Sequence, residues 1–198
     1  MANPNVGMMY PVWAPLTAHT DGSMPTYGNG CVIQEARNAT VTREFANNPL
    51  YGDDRIVDDD NGMTGLTISF EPTGLTDADR VTLFGENVSG DIGVTGVTGQ
   101  WVTDSETPWG GFGYIRKMRK DGVKSFEAWW TLKIKFQEES QATNTKEGSI
   151  TWNTPTLNGR AAGLYVDASD NTKYQLHQTF TTIAAAKTWL NALAHISA

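Results

Sequence analysis

The sequence predicts a mainly β protein of antiparallel strands, with one short helix beside them and an amphipathic helix at the C-terminus. Glycine is frequent, at 20 of 198 residues, and Asn, Thr, Asp and Ser separate short apolar runs, as in strands joined by turns. One long run alternates apolar and polar residues, and another repeats them with a helical period. A chain of this length that is 39% hydrophobic suits one domain with a substantial core, which we place at 1–198.

The N-terminal segment, 1–29, is predicted to be an extended arm because prolines and glycines recur along it. It also carries large apolar residues, among them Met8, Tyr10, Trp13 and Leu16. Such an arm is unstable alone in water, so we expect it to pack on its own domain or on a neighbouring chain.

A strand and a short helix are predicted in the middle of the chain. Apolar and polar residues alternate from Leu66 to Phe70, which indicates a half-buried strand, and Pro72 ends it. Thr76 can cap a helix, and Asp79 three residues later can bond back to it. Gly85 then ends the helix.

The clearest local pattern is a long hairpin. Asp121-Gly122 is a turn between two long runs. From Phe126 to Phe136 apolar residues alternate with polar ones, which predicts a long antiparallel strand with one face in the core. The turn end of this hairpin is basic, and its charged residues are Arg116, Lys117, Arg119, Lys120 and Lys124.

The last part of the chain predicts three short strands and the C-terminal helix. The strands are expected at 149–157, 163–166 and 174–180, with Pro155 at a bulge or an edge. The helix is expected at 181–197, capped by Thr181 or Thr182. The apolar side chains of one face are Ile183, Ala186, Leu190 and Leu193.

The densest charge is acidic and lies in the stretch GDDRIVDDD, whose aspartates are Asp53, Asp54, Asp58, Asp59 and Asp60. It fails as an EF-hand loop, because Gly62 at the sixth position places Val57 first and Ile68 twelfth. An irregular cation site stays open, but a solvated negative loop is favoured. Ile56 and Val57 are expected to anchor this stretch to the protein.

Charge is divided unevenly along the chain. Residues 1–110 carry 15 acids and 4 bases, whereas residues 111–198 carry 7 acids and 11 bases, for a net charge of -7. A protein that grips DNA phosphates needs a basic excess, so this chain as a whole would repel DNA. The acidic stretch and the basic hairpin are complementary, so copies of the chain could meet head to tail through them.

Catalysis finds little support in the sequence. There is no P-loop, GxGxxG or GxSxG motif, and His19, His177 and His195 are far apart. We therefore expect no enzyme activity, no cofactor and no metal. The single cysteine, Cys31, is expected to be a small buried hydrophobe, and no apolar run is long enough to span a membrane.

Four segments, in order, resemble a known family. They are YPVWAPLT at Tyr10–Thr17, LYGDD at Leu50–Asp54, the strand and helix between Gly65 and Gly85, and the stretch Gly111–Arg160, which includes KEGSITWNTPTLNG. With them the chain resembles the major tail proteins, or tail tube proteins, of long-tailed bacteriophages. The likeness is greatest to a siphophage family from Gram-positive hosts.

The resemblance implies a β-sandwich or barrel of the tail-tube type. Six copies would form a ring, and rings would stack into a tube through which DNA passes without specific binding. The implied partners are further copies of the chain and the tape measure, tail terminator and distal tail proteins. The implied location is the virion tail, after assembly in the host cytoplasm. On this basis we expect the five aspartates to face the lumen or a seam between rings, and the five basic hairpin residues to lie between subunits.

Two alternatives remain open. Another virion connector part, such as a tail terminator, would share a related fold but would stop at one ring. A carbohydrate-binding β-sandwich is suggested by 7 tryptophans, with Trp101 and Trp109 as a platform for a sugar. Alternation instead assigns Trp130 and Trp152 to the core.

Overall fold

The structure, a computed structural model, describes residues 5–33, 35–60, 62–86, 106–120, 122–140, 153–168 and 171–197. The strands in these ranges are β1 (Asn5–Ala18), β2 (Thr26–Tyr27), β3 (Cys31–Val32), β4 (Ala36–Phe45), β5 (Asn48–Gly52), β6 (Arg55–Asp60), β7 (Met63–Pro72), β8 (Gly110–Lys120), β9 (Val123–Ser140), β10 (Thr156–Ala161) and β11 (Gln175–Phe180). The helices are α1 (Asp77–Phe84) and α2 (Ile183–Ala194).

The strands form one large antiparallel sheet and one small one. The large sheet has the order β2-β1-β8-β9-β10-β7-β4, with β3 also paired to β1 and β11 also paired to β9. Strands β5 and β6 form a separate two-stranded sheet. Strand β4 at one end of the order packs against β1 near the other, so the large sheet curls around an apolar interior. The predicted mainly β, antiparallel class is confirmed, and the fold is consistent with a β-sandwich.

The predicted N-terminal arm is part of the main sheet over Asn5–Ala18, where β1 pairs along its length with β8. A bulge between Met9 and Val12 places Tyr10 in the left-handed region at φ 56°. The Tyr10 hydroxyl donates to Asn191 Oδ1 on α2 at 2.8 Å. The apolar side chains that suggested a docking arm therefore pack within the chain, and Val12 and Trp13 are fully buried.

Strand β9 contains a bulge that the alternating pattern did not reveal. Phe112 of β8 pairs with Thr131, but Gly110 pairs with Ile134, so β9 has one extra residue between these partners. An extra residue moves the following side chains to the other face of the sheet. The prediction that one face of β9 is buried from Phe126 to Phe136 is therefore wrong, because the apolar stripe is divided between two cores.

The first core fills the inside of the curled sheet and is closed by α1. Its buried members are Trp13, Ile33, Leu66, Ile68, Phe70, Leu83, Phe84, Phe112, Tyr114, Ile134, Phe136, Leu157 and Ala161. The second core lies on the opposite face of β1, β8 and β9 under α2. Its buried members are Val12, Ala14, Tyr27, Ile115, Ala128, Trp130, Leu132, Leu164, Val166, Ala186, Leu190 and Ala194.

The predicted boundaries of α1 are confirmed. Thr76 and Asp79 form the reciprocal capping box, and Gly85 ends the helix in the left-handed conformation at φ 69°. Within the helix Leu83 and Phe84 are fully buried, whereas Ala78 is exposed.

The C-terminal helix begins after Thr182, whose hydroxyl accepts from the Ala185 backbone N–H. It ends at Ala194, before the predicted limit of 197, and His195 follows at φ 50°. Ala186 and Leu190 are buried as predicted, but Ile183 is exposed.

The short C-terminal strands are partly as predicted. Strand β11 confirms the expectation at 174–180. The segment 163–166 contributes only the isolated bridge between Leu164 and Lys173. Strand β10 begins at Thr156, after Pro155, and the start of the predicted strand at 149–152 lies outside the described residues.

Candidate interaction surfaces

Strands β5 and β6 form a hairpin, called the acidic hairpin below, with a two-residue turn at Asp53 and Asp54. Gly52 pairs with Arg55 across the turn, and the two aspartates have φ values of 50° and 58°. A type I′ turn requires positive φ at both central residues, a conformation that Asp tolerates better than most residues. The LYGDD segment is therefore the tip of a β-ribbon.

The acidic hairpin carries large apolar side chains in contact with solvent. Leu50, Tyr51, Ile56 and Val57 are between 57% and 67% exposed. The prediction that Ile56 and Val57 anchor the stretch to the protein is wrong. The two strands pack on each other more than on the rest of the described chain, so the ribbon has no core beneath it to receive these side chains.

The five aspartates are distributed along one strand and the turn. Asp53 and Asp54 are exposed at the tip, and Asp58 is exposed on β6 opposite Leu50. The backbones of Asp59 and Asp60 lie further along β6, and their side chains are outside the described part of the structure. Their orientation toward a lumen or a ring seam stays a prediction.

The predicted basic hairpin is formed by β8 and β9. Arg119 and Lys124 are exposed register partners, so two like charges share one face of the ribbon. Arg116 lies 3.7 Å from Glu127, and Lys117 is half-buried opposite Phe126. The side chain of Lys120 and the turn residue Asp121 lie outside the described residues.

Topology places the roots of both hairpins at the same end of the curled sheet. Four antiparallel pairings separate β4 from β8, through β7, β10 and β9. Because each pairing reverses the strand direction, β4 and β8 run in the same direction. The acidic hairpin follows the end of β4, and the basic turn follows the end of β8. Within one chain, the negative and positive ribbons therefore leave the domain from one side.

A cavity of about 170 Å³ opens between strands β1, β4, β8 and β9, and we call it the arginine cavity. It is lined by Met8, Ala39, Val41, Arg43, Tyr114, Arg116 and Trp129. Both guanidinium carbons, of Arg43 and Arg116, lie 5.7 Å from the centre of the Trp129 ring, within the range of cation–π attraction. The sequence shows these residue types but not their meeting, because they come from different strands.

Hydrogen bonding and stacking fix the tryptophan of the arginine cavity. Trp129 Nε1 donates to Glu127 Oε2 at 2.7 Å, and His177 stacks on the ring at 4.5 Å. Burial raises the pKa of Tyr114 to about 12, although Arg116 and Arg43 act in the opposite direction. Tyr114 is therefore neutral at physiological pH.

Trp109 has a different environment from the one expected of a sugar platform. The ammonium groups of Lys133 and Lys135 lie 4.7 and 4.9 Å from the centre of its ring. A sugar stacking on that ring would have to displace charged groups from it. Trp101 and Trp152 lie outside the described residues, whereas Trp130 is fully buried as predicted.

The histidines and the cysteine have separate surroundings. His19 Nε2 lies 3.1 Å from the carbonyl oxygen of Tyr165, His177 stacks on Trp129, and His195 follows α2. Cys31 is half-buried instead of buried, and burial, with a contribution from Asp79, raises the pKa of its thiol to about 11.

No three His, Cys, Asp or Glu side chains within the described ranges form a group that could hold a metal ion. Neither described helix is long and apolar enough to cross a membrane. In comparisons with protein-family models and with curated proteins, nothing matches this chain.

Proposed function

We propose that this protein is a structural subunit that self-assembles into stacked six-membered rings, which form the tail tube of a bacteriophage. The observation that carries the proposal is the acidic hairpin with its exposed apolar side chains. Exposed apolar surface that is rimmed by polar residues is typical of protein–protein contact sites. A ribbon whose own strands pack mainly on each other gains a core only when another surface covers it.

The charge supports a tube that carries DNA. Six copies at -7 each give a ring with a net charge of -42. A negatively charged lumen would repel phosphates, so DNA would slide through it without sticking. In this role the partners would be other copies of the chain together with the tape measure, terminator and distal tail proteins, and the location would be the virion.

The exposed ribbon provides a sharp test of self-assembly. In the variant Tyr51→Ser with Ile56→Thr, two paired side chains lose most of their apolar surface without a change in any buried position. Tyr165→Ser with Ile183→Thr is the matched control, because it makes the same two changes at exposed positions outside both charged hairpins. Electron microscopy and light scattering over a range of protein concentrations would follow assembly, and circular dichroism would confirm folding.

The purified wild type and the Tyr165→Ser with Ile183→Thr control should form rings or hollow tubes, and the ribbon variant should stay folded but form smaller assemblies. A wild type that remains a monodisperse monomer at every concentration and salt tested would refute the proposal. Single rings that never stack would instead indicate a terminator-like part. Binding on a glycan array would favour the carbohydrate-binding alternative.

A further inference from the structure

We infer that Asp53 and Asp54, at the tip of the acidic hairpin, dock into the arginine cavity of a second copy that lies beside the first in the same ring. This inference rests on the proposed function, because it names the surfaces through which copies would meet. For Asp53 and Asp54 it replaces the expected position at the lumen or a seam between rings. It joins two features of the described part of the chain, a projecting acidic tip and a cationic cavity.

The arginine cavity has the chemistry of a carboxylate receptor. Arg43 is exposed and has no carboxylate within ion-pair distance among the residues that the structure describes, whereas Arg116 lies 3.7 Å from Glu127. Two guanidinium groups beside one carboxylate leave a net positive charge. Arginine favours carboxylates because its planar fork matches their geometry and forms charge-assisted hydrogen bonds.

The walls of the cavity strengthen such a contact. Met8, Ala39 and Val41 line it beside the Trp129 ring, so part of the lining is apolar. An ion pair is stronger in a recess that is partly shielded from water than on an open surface. At about 30 Å³ per water molecule, a cavity of about 170 Å³ has room for roughly five waters, and a side chain can therefore enter.

The acidic hairpin has the shape that such a cavity requires. A two-residue turn is the narrowest end that a β-ribbon can have, and both of its central residues carry an exposed carboxylate. Tyr51, next to the tip, is 67% exposed and supplies an aromatic surface beside the charges. The tip therefore offers negative charge and apolar area together.

The tip cannot readily enter the cavity of its own chain. Strand β4 ends at Phe45, just beyond Arg43, and the turn begins eight residues later at Asp53. At about 3.3 Å per residue, the tip lies roughly 26 Å along the chain from the hairpin root. Entry into the same chain's cavity would require the ribbon to fold back on itself.

The common end of the two hairpins favours a neighbour in the same ring over one in the next ring. Copies related by ring symmetry present the same end on the same side, so a ribbon that runs sideways along the ring brings its acidic tip to the cationic end of the next copy. A copy stacked head to tail presents its opposite end instead. The contact joins two different surfaces, and such heterologous contacts close into rings when the rotation permits.

The test removes each charge while the backbone is kept. Asp53→Asn with Asp54→Asn keeps side chains that tolerate positive φ, and Arg43→Gln removes the cation at an exposed position. Asp21→Asn with Asp77→Asn, and Arg37→Gln on the same strand as Arg43, are matched controls, because they make the same charge changes at exposed positions elsewhere. Light scattering and electron microscopy of each variant measure the protein concentration at which assembly begins.

The tip variant and the Arg43→Gln variant should each raise the protein concentration at which assembly begins at least tenfold. The controls should leave this concentration within about twofold of the wild-type value. A protein that carries both the tip substitutions and Arg43→Gln should assemble at about the same concentration as either variant alone, because both remove the same contact. Assembly of both variants at the wild-type concentration, or losses that add in the combination, would overturn the inference and leave the proposed function standing. A wild type that never assembles would overturn both.

Discussion

Replacing Tyr27 with phenylalanine should destabilise the protein through two buried hydrogen bonds. The Tyr27 hydroxyl donates to the carbonyl oxygen of Leu132 at 2.7 Å and accepts from Trp130 Nε1 at 3.1 Å. Tyr27 is 5% exposed, and its ring meets the Trp130 ring edge-on at 5.1 Å. Phenylalanine keeps this ring contact, so the substitution isolates the role of the hydroxyl.

The cost follows from what the hydroxyl leaves behind. An indole N–H and a backbone carbonyl would each lose a partner inside the second core, and Leu132 lies at the bulge of β9. An unsatisfied neutral polar group costs about 1–2 kcal/mol, so the free energy of unfolding should fall by about 2–4 kcal/mol. In a domain of this size each kcal/mol lowers Tm by about 2–4 °C, which gives a decrease of roughly 4–16 °C.

Thermal unfolding and urea titration followed by tryptophan fluorescence would measure the effect. Tyr165→Phe is the matched control, because Tyr165 is exposed and should change the free energy of unfolding by less than about 0.5 kcal/mol. If Tyr27→Phe were as stable as this control, the Tyr27 hydroxyl would not join the bulge to the second core.

Three further predictions concern helices and alkaline pH. Leu190→Ala should lower the free energy of unfolding by about 2–5 kcal/mol in urea titrations because it opens a cavity under α2, whereas the exposed Ile183→Ala should cost much less. Thr76→Ala should cost about 1 kcal/mol in the same assay through loss of the capping box, and Thr73→Ala, outside the helix, should cost less than half of that. Because burial raises the pKa of Tyr114 from 10.0 to about 12, the neutral Tyr114 side chain stabilises the folded state fully below about pH 10, and this stabilisation disappears toward pH 12. Between pH 10 and pH 12 the free energy of unfolding, measured by urea titration, should therefore fall by up to about 3 kcal/mol more in the wild type than in Tyr114→Phe. Equal decreases in the two proteins would show that Tyr114 does not cause this pH dependence.

The elements that the sequence predicted well have signals within a few neighbouring residues. The capping box of α1 joins residues three apart, and the glycine that ends the helix is the next residue after it. The alternation in β7 requires only that one side of a strand be buried, and Leu66, Ile68 and Phe70 are all fully buried. Such patterns are readable because helix and strand periods are fixed by backbone geometry.

The interaction surfaces were only partly readable. Both charged hairpins are visible as runs of like charge, but the sequence did not show that Ile56 and Val57 are exposed, because an apolar pair is ordinarily read as core. The arginine cavity was not predicted at all. Arg43, Arg116 and Trp129 become neighbours only when the sheet curls and brings β4 beside β1 and β8.

The sequence by itself determined the mainly β class, the hairpin of β8 and β9, both helix starts and the separation of acidic from basic charge. The tertiary structure decided that the N-terminal segment is the strand β1, that β9 serves two cores, and that the acidic stretch is a projecting ribbon. The reason is physical. Local backbone preferences act over a few residues, whereas strand partners, a one-residue bulge and the exposure of a ribbon depend on segments that meet only in the folded chain.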